Sequence, residues 1–205
     1  MKNLNEKQLV NVLVKANLIE DVESVTDVYI NDNNVVIDTM EGDFILYNNY
    51  SDAIQDSIEN ALNLIDDCGL TDGLVLEAEC QGLIDVNWFK EFWEEVHDNQ
   101  AYNEDIQYIA DEEELEMLDN GEIFEYTIRD NYYNTLQDSV DGRWMEEYKF
   151  QFGEEDFNNV LIRHNLIDTD ALATWCVDMD GVAHYLATYD GEEYEQDGYY
   201  IYRTN

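Results

Sequence analysis

Positive charge is what this chain has least of. Nine Lys plus Arg stand against 49 Asp plus Glu in 205 residues, a formal net charge of −40. The sequence pI is about 4.1. Such a balance argues against direct binding of nucleic-acid phosphates or of an anionic membrane, because both need clustered Lys and Arg. Proline is absent and glycine numbers only ten. No linker therefore stands out by composition, and any domains are closely joined. The three cysteines, Cys68, Cys80 and Cys176, are an odd number with no tight pair, which points to reduced thiols rather than a disulfide framework. No apolar run approaches the ~18 residues of a membrane span. Met1 to Lys7 leads into a short amphipathic stretch, not an apolar signal core, so a cytoplasmic location is expected.

What is present excludes disorder. Hydrophobic residues make up 45% and aromatics 13%, including 15 Tyr, 7 Phe and 4 Trp. Disordered acidic chains lack that content. A chain of this length can bury a real core, as one domain or two small ones.

The patterning predicts an α+β fold. Asn11 to Glu20 matches Asn159 to Asp168 at a fixed offset of 148. After the first copy come three strand-like runs, Val25 to Ile30, Val35 to Thr39 and Asp43 to Asn48, with Asn/Asp and Glu-Gly turns between them. After the second come Ala173 to Asp178, Val182 to Tyr189 and Tyr199 to Arg203, which also read as a meander. The expectation is two helix-plus-antiparallel-meander modules flanking an acidic helical middle. The domains would be residues 1–49, 50–121 and 122–205, the last repeating the first one's pattern.

In the middle, Ser51 can cap a helix with Ala53, Ile54, Ile58, Ala61, Leu62 and Ile65 on one face. Asp85 can cap a second, carrying Val86, Phe89, Phe92, Trp93 and Val96. A third is expected from Asn103 to Leu118, with Gly121 as its stop. Glu122 to Arg129 and Glu147 to Phe152 look like strands, and Asn131 to Trp144 has no assignment.

The charge is concentrated. Ala16 to Ile128 holds 31 acids and a single base, Lys90, a net of −30. Within the helices the candidate partner-binding acids are Asp52, Asp56 and Glu59 on the first, and Glu91, Glu94, Glu95 and Asp98 on the second. On the third they are Glu104, Asp105, Asp111, Glu112, Glu113, Glu114 and Glu116. Asp66, Asp67, Asp98 and Asp119 sit near helix carboxyl ends, where the macrodipole favours cations. Like-charge pairs four apart, such as Glu91/Glu95 and Glu112/Glu116, each cost about 0.2–0.5 kcal/mol. Solubility alone needs a net charge magnitude of only about 2–8. Halophily, cation binding and mimicry of a polyanion compete as explanations. Halophilic proteins favour Ala over Ile, whereas here Ile is 15 and Ala 10. A calcium loop needs alternating oxygen ligands with a Gly at the sixth position and a Glu at the twelfth. The Asn31 to Asn34 turn and the Asp190 to Asp197 turn lack that spacing. Mimicry passes an arithmetic test. A compact chain of this length is about 40 Å across, and duplex DNA of that length carries about 24 phosphates.

Enzyme signatures are weak. Val177 to Val182 resembles the DxDG nucleophile loop of haloacid-dehalogenase-like phosphatases, but only 23 residues follow it and none is Lys, so Met179-Asp180-Gly181 reads as a hairpin turn. His97, His164 and His184 lack zinc spacing. Trp88, Phe89, Phe92 and Trp93 could form a sugar platform, although their helical spacing suits a core. No catalytic residue, metal or cofactor is expected.

In size, charge and carboxylate-studded helices the chain resembles the acidic nucleic-acid-mimic anti-defence proteins of phages and mobile elements. These include the ArdA-type and Ocr-type antirestriction proteins and acidic anti-CRISPR proteins. The resemblance is one of bulk character and carries no motif. It implies a non-enzymatic inhibitor acting in the groove of a CRISPR–Cas effector or restriction enzyme. The alternative partner is another basic DNA-binding protein, such as a nucleoid protein or a repair enzyme. A homodimer, which would lengthen the mimicked duplex, stays open.

Overall fold

The first meander forms where alternation places it. In a computed structural model describing residues 5–205, β1 (Val25–Ile30), β2 (Asn34–Thr39) and β3 (Gly42–Tyr47) pair antiparallel. Met1 to Leu4, the start of the lead-in discussed above, lie outside the described residues. Val35 and Ile37 of β2 and Phe44 and Leu46 of β3 share one buried face. Helix α1 (Glu6–Lys15) lays Leu9, Val10, Val12 and Leu13 onto it. The β2–β3 turn requires glycine: Gly42 has φ +148°, and a Cβ there would meet the Asn205 carbonyl oxygen at 2.4 Å.

The sheet then takes strands from the far end of the chain. β4 (Glu193–Gln196) and β5 (Tyr199–Arg203) form a hairpin, and β5 pairs with β3, giving the order β1-β2-β3-β5-β4. Asp197 and Gly198 both have positive φ, 54° and 81°, as a two-residue type I′ turn requires. Tyr199 and Ile201 join the α1-facing core, while the buried rings of Tyr47 and Tyr202 meet edge-on at 5.9 Å.

The class is α+β, but the second meander is corrected. Ala173 to Asp178 lies inside α10 (Thr169–Asp180), and Val182 opens α11 (Val182–Leu186). The buried set of α10, Leu172, Ala173, Cys176 and Val177, recurs at helical rather than alternating spacing. Gly181, φ 86°, turns one helix into the next, so Met179-Asp180-Gly181 is not a hairpin turn. Only Tyr199–Arg203 of the three expected strands is one, and it completes the first sheet instead of building another.

The internal match has a local explanation. In both copies the helix ends on an asparagine in the left-handed region, Asn17 (φ 57°) after α1 and Asn165 (φ 53°) after α9 (Glu154–Arg163). The Leu18 N–H donates to the Leu13 carbonyl at 3.0 Å, and Leu166 repeats this to Leu161 at 2.8 Å. These are Schellman stops, so the ten residues encode a helix end. A third, unremarked in the sequence, is Gly82, with the Leu83 N–H on the Ala78 carbonyl at 2.8 Å. Two of the stops pair: Ile84 and Ile167 form an antiparallel bridge.

The chain forms two compact units, one of residues up to Thr71 together with Thr169–Asn205, the other Asp72–Asp168. In the first, α2 (Tyr50–Cys68) buries Ala53, Ser57, Ala61 and Ile65 against α10 and α11. Its cap is Asn49 rather than Ser51; the Ser51 N–H donates to the Asn49 side chain at 3.2 Å.

The second unit is helical, with α3 (Asp72–Gln81), α4 (Val86–Asn103), α5 (Ile106–Ile109), α6 (Glu112–Asp119), α7 (Glu125–Val140), α8 (Trp144–Phe152) and α9. Asp85 caps α4 as expected. The expected single helix from Asn103 to Leu118 is instead broken. Asp105 caps α5 and Asp111 caps α6, each carboxylate taking backbone N–H groups that an uninterrupted helix would spend on carbonyls. The expected strand Glu147 to Phe152 lies within α8, that at Glu122 to Arg129 is a bend followed from Glu125 by α7, and α7 absorbs most of the unassigned segment. Their β-favouring aromatics are overridden by packing. Tyr148 of α8 is buried at 5.3 Å from Phe89, and Ile128 of α7, which packs on α4, is fully buried. Among the described residues no helix is long and apolar enough to cross a membrane.

Candidate functional site

The acidic positions acquire distinct surroundings. In the first unit Glu59 is exposed on α2, while Asp52 and Asp56 are half-buried. Asp56 accepts from the Tyr47 hydroxyl at 2.7 Å and from the Asn34 amide at 3.0 Å. All the other candidate acids belong to the second unit. Glu91, Glu95 and Asp98 are exposed on α4, and the half-buried Glu94 lies 3.9 Å from Lys90. Glu104 and Asp105 form the corner between α4 and α5.

On α6 the capping geometry sorts the acids into two groups. Asp111 accepts the Glu114 N–H at 2.8 Å, and Glu114 returns a bond to the Asp111 N–H at 3.2 Å. Glu114 also takes the Asn131 amide at 3.1 Å, tying α6 to α7. Glu112, Glu113 and Glu116 are left exposed, the first two in the helix's first turn, where the macrodipole favours them. Arg129 anchors this region from beneath. Its guanidinium donates to the carbonyls of Ala101 (2.7 Å) and Glu104 (3.0 Å) and pairs with Glu125 at 2.6 Å. Sequence reasoning placed acids on three helices; in the structure Arg129, Asn131 and two Asp caps hold α4, α5, α6 and the start of α7 together.

No family model matches this chain, and no curated protein or solved structure matches it either.

Two features escaped the sequence reading. The first is a row of like charges on the sheet. Asp27, Asp38 and Asp43 stand opposite one another across β1, β2 and β3. Directly opposed like charges destabilise a sheet. Burial first, then the neighbouring Asp43 and Asp27, push the Asp38 carboxyl up.

The second is the use of tyrosine. Among the described residues, tyrosine hydroxyls donate to carboxylates in seven pairs: Tyr29 to Asp27, Tyr47 to Asp56, Tyr102 to Asp130, Tyr148 to Asp156, Tyr185 to Asp180, Tyr194 to Asp190 and Tyr202 to Glu193, at 2.6–3.1 Å. A hydroxyl fixes a carboxylate without cancelling its charge, as a Lys or Arg would. Burial, and then the bond to Asp156, push the Tyr148 hydroxyl up to about 12. The bond to Asp130 itself raises Tyr102, and that to Asp27 raises Tyr29. These groups therefore remain protonated donors at neutral pH. The signal was present in the sequence as 15 Tyr beside nine bases.

The aromatic face of α4 and one cavity have packing and bonding partners. Phe89 and Trp93 are buried, and the Trp93 indole N–H donates to the Trp144 carbonyl at 3.0 Å, so this face of α4 is core. A cavity of about 210 Å³ touches Asp72, Lys149 and Asn158. Three of its polar groups already have partners: Lys149 pairs with Glu79, and Asn158 donates to Asp72 at 3.2 Å.

His97 is buried on α4, and its Nδ1 has no hydrogen-bond partner among the described residues. Burial lowers its pKa from 6.5, opposed by Glu147. The folded state thus keeps a neutral imidazole, while the unfolded chain takes up a proton as pH falls through 6.5. That contribution to stability is present above 6.5 and lost toward acid. Relative to His97→Phe, the wild type is expected to lose melting temperature between pH 7.5 and 5.5. A difference between the two that does not change with pH would contradict this.

Proposed function

We propose that this chain is a DNA-mimic inhibitor. It binds the nucleic-acid groove of a bacterial defence nuclease, a CRISPR–Cas effector or a restriction enzyme, and blocks DNA binding. It acts without catalysis, in the cytoplasm of the host cell, and its gene belongs to a phage or mobile element. The observation that carries this reading is a dense surface of carboxylates that a folded scaffold positions largely with neutral donors. Caps, amides and tyrosine hydroxyls orient Asp111, Glu114, Asp130 and Asp27 and leave their charge uncancelled, while Glu112, Glu113 and Glu116 stay exposed on the capped helix α6. A surface selected only for solubility has no reason to keep the Asp27–Asp38–Asp43 row or to set a single base, Lys90, against 31 acids from Ala16 to Ile128. A nuclease groove lined with Lys and Arg supplies the missing partner, since charge complementarity drives both encounter and specificity.

The test is expression in bacteria that carry a restriction system or a CRISPR–Cas system against a challenging phage. Plating efficiency of that phage is expected to rise. Capture from lysate should retain a basic DNA-binding protein that added duplex DNA displaces. Unchanged plating, together with captured proteins that do not bind DNA, would overturn the proposal.

A further inference from the structure

The acidic zone also exposes large aromatic rings, and acids alone do not explain them. Phe124 and Tyr126, at the start of α7, are 63% and 60% exposed, and their rings stack at 5.6 Å with planes 10° apart. Tyr108 of α5 is 84% exposed. α5 and α6 are both tied to α7, so these rings and the acids of α6 belong to one packed group of helices. Exposed rings cost solvation free energy unless something covers them.

From this arrangement we infer that the surface around Phe124 and Tyr126 is a contact site for an arginine-bearing protein surface. The inference rests on the inhibitor reading and specifies the chemistry of its partner. The occupant must be cationic, because the nearest bases in sequence are Arg129 and Arg143 and both are already bonded: the Arg129 side chain, only 14% exposed, to Glu125 and the Ala101 carbonyl, and Arg143 to the Ser139 carbonyl. A second copy of this chain does not qualify, since it would bring another −40 of charge. Between the two cationic side chains, the rings select arginine. A guanidinium is planar, weakly hydrated and able to stack on an aromatic face while its edge bonds a carboxylate. An ammonium is a compact, strongly hydrated point charge. In such a site the rings lie at the centre, and the exposed Glu112, Glu113 and Glu122 supply the ionic rim.

Titration calorimetry of the full chain with two peptides, nine arginines and nine lysines, tests this at one fixed salt concentration. The wild type is expected to bind the arginine peptide about five- to tenfold more tightly, the scale of two exposed cation–π contacts. Phe124→Ala/Tyr126→Ala should abolish that preference, and so should Phe124→Leu/Tyr126→Leu, which keeps apolar bulk but removes the π faces. Glu112→Gln/Glu113→Gln should weaken both peptides by the same factor. Equal affinity of the wild type for the two peptides, or a preference that survives both ring variants, would overturn the inference. The outcome does not depend on any nuclease. A chain that prefers arginine through these rings yet protects no phage would fail the functional proposal and not this one.

Discussion

Reversing Glu112, Glu113 and Glu116 to Lys is expected to cost the chain at least a thousandfold in affinity for the nuclease it inhibits. These three are the candidate acids of α6 that the capping box and Asn131 leave unengaged, and all three are exposed. Reversal takes the zone from 30 net negative charges to 24 and puts like charge against the partner's bases. Coupling energies of close interfacial charge pairs run about 1.5–7 kcal/mol. Three contacts at even the low end exceed about 4 kcal/mol, which is a thousandfold. Glu114 is left alone because it closes the capping box with Asp111. Lysines in the first turn disfavour the helix by about 0.3–1 kcal/mol each. The Gln versions of the same positions provide the control and should lose affinity by a smaller factor with the helix intact. Retained inhibition by the Lys variant, with unchanged circular dichroism, would move the contact surface elsewhere on the chain.

Trp93→Ala is expected to abolish inhibition while leaving the net charge at −40. The side chain is 2% exposed, its ring stands 5.4 Å from His97, and its N–H occupies the Trp144 carbonyl. Truncation leaves a cavity and an unpaired carbonyl between α4 and α8, at about 3–5 kcal/mol. For a chain of this size that is a fall of about 6–20 °C in melting temperature. The loss falls on the unit that holds most of the candidate acids. A flexible polyanion would still bind a basic groove, whereas a mimic depends on carboxylates held in place, because ordering them on binding costs free energy. Thermal melts and inhibition assays on the same sample check both parts. A destabilised variant that inhibits as well as wild type at a temperature where its helices have melted would show that charge alone suffices.

The features legible in the sequence were those with a short-range signature. Alternation located β1, β2 and β3 within a residue, and Asp85 and Gly121 marked helix ends correctly. Aromatic and β-branched composition misled in α7, α8 and α10, where burial follows helical spacing and propensity is overridden. The matched pair at Asn11 and Asn159 looked like a duplicated module because a Schellman stop has its own sequence requirements, namely a left-handed Asn followed by an apolar residue. Nothing local in Tyr199–Arg203 says that it will pair with β3, since that depends on a contact across some 150 residues. The candidate acids were readable as charge, but their sorting was not. Glu114 and Asp111 differ from Glu112 and Glu113 only in hydrogen bonds that the fold supplies. The tyrosine donors went unread for the same reason, because a hydroxyl is assigned to a carboxylate only once both are placed.

The central claim is that this chain occupies a DNA groove through fixed negative charge. Competition between the chain and a labelled DNA duplex for the captured nuclease, repeated from 50 to 200 mM salt, tests it most directly. The account predicts mutually exclusive binding, with the chain's affinity falling at least about tenfold over that range as its ionic contacts are screened. Simultaneous binding of chain and duplex, or an affinity that salt leaves unchanged, would contradict it.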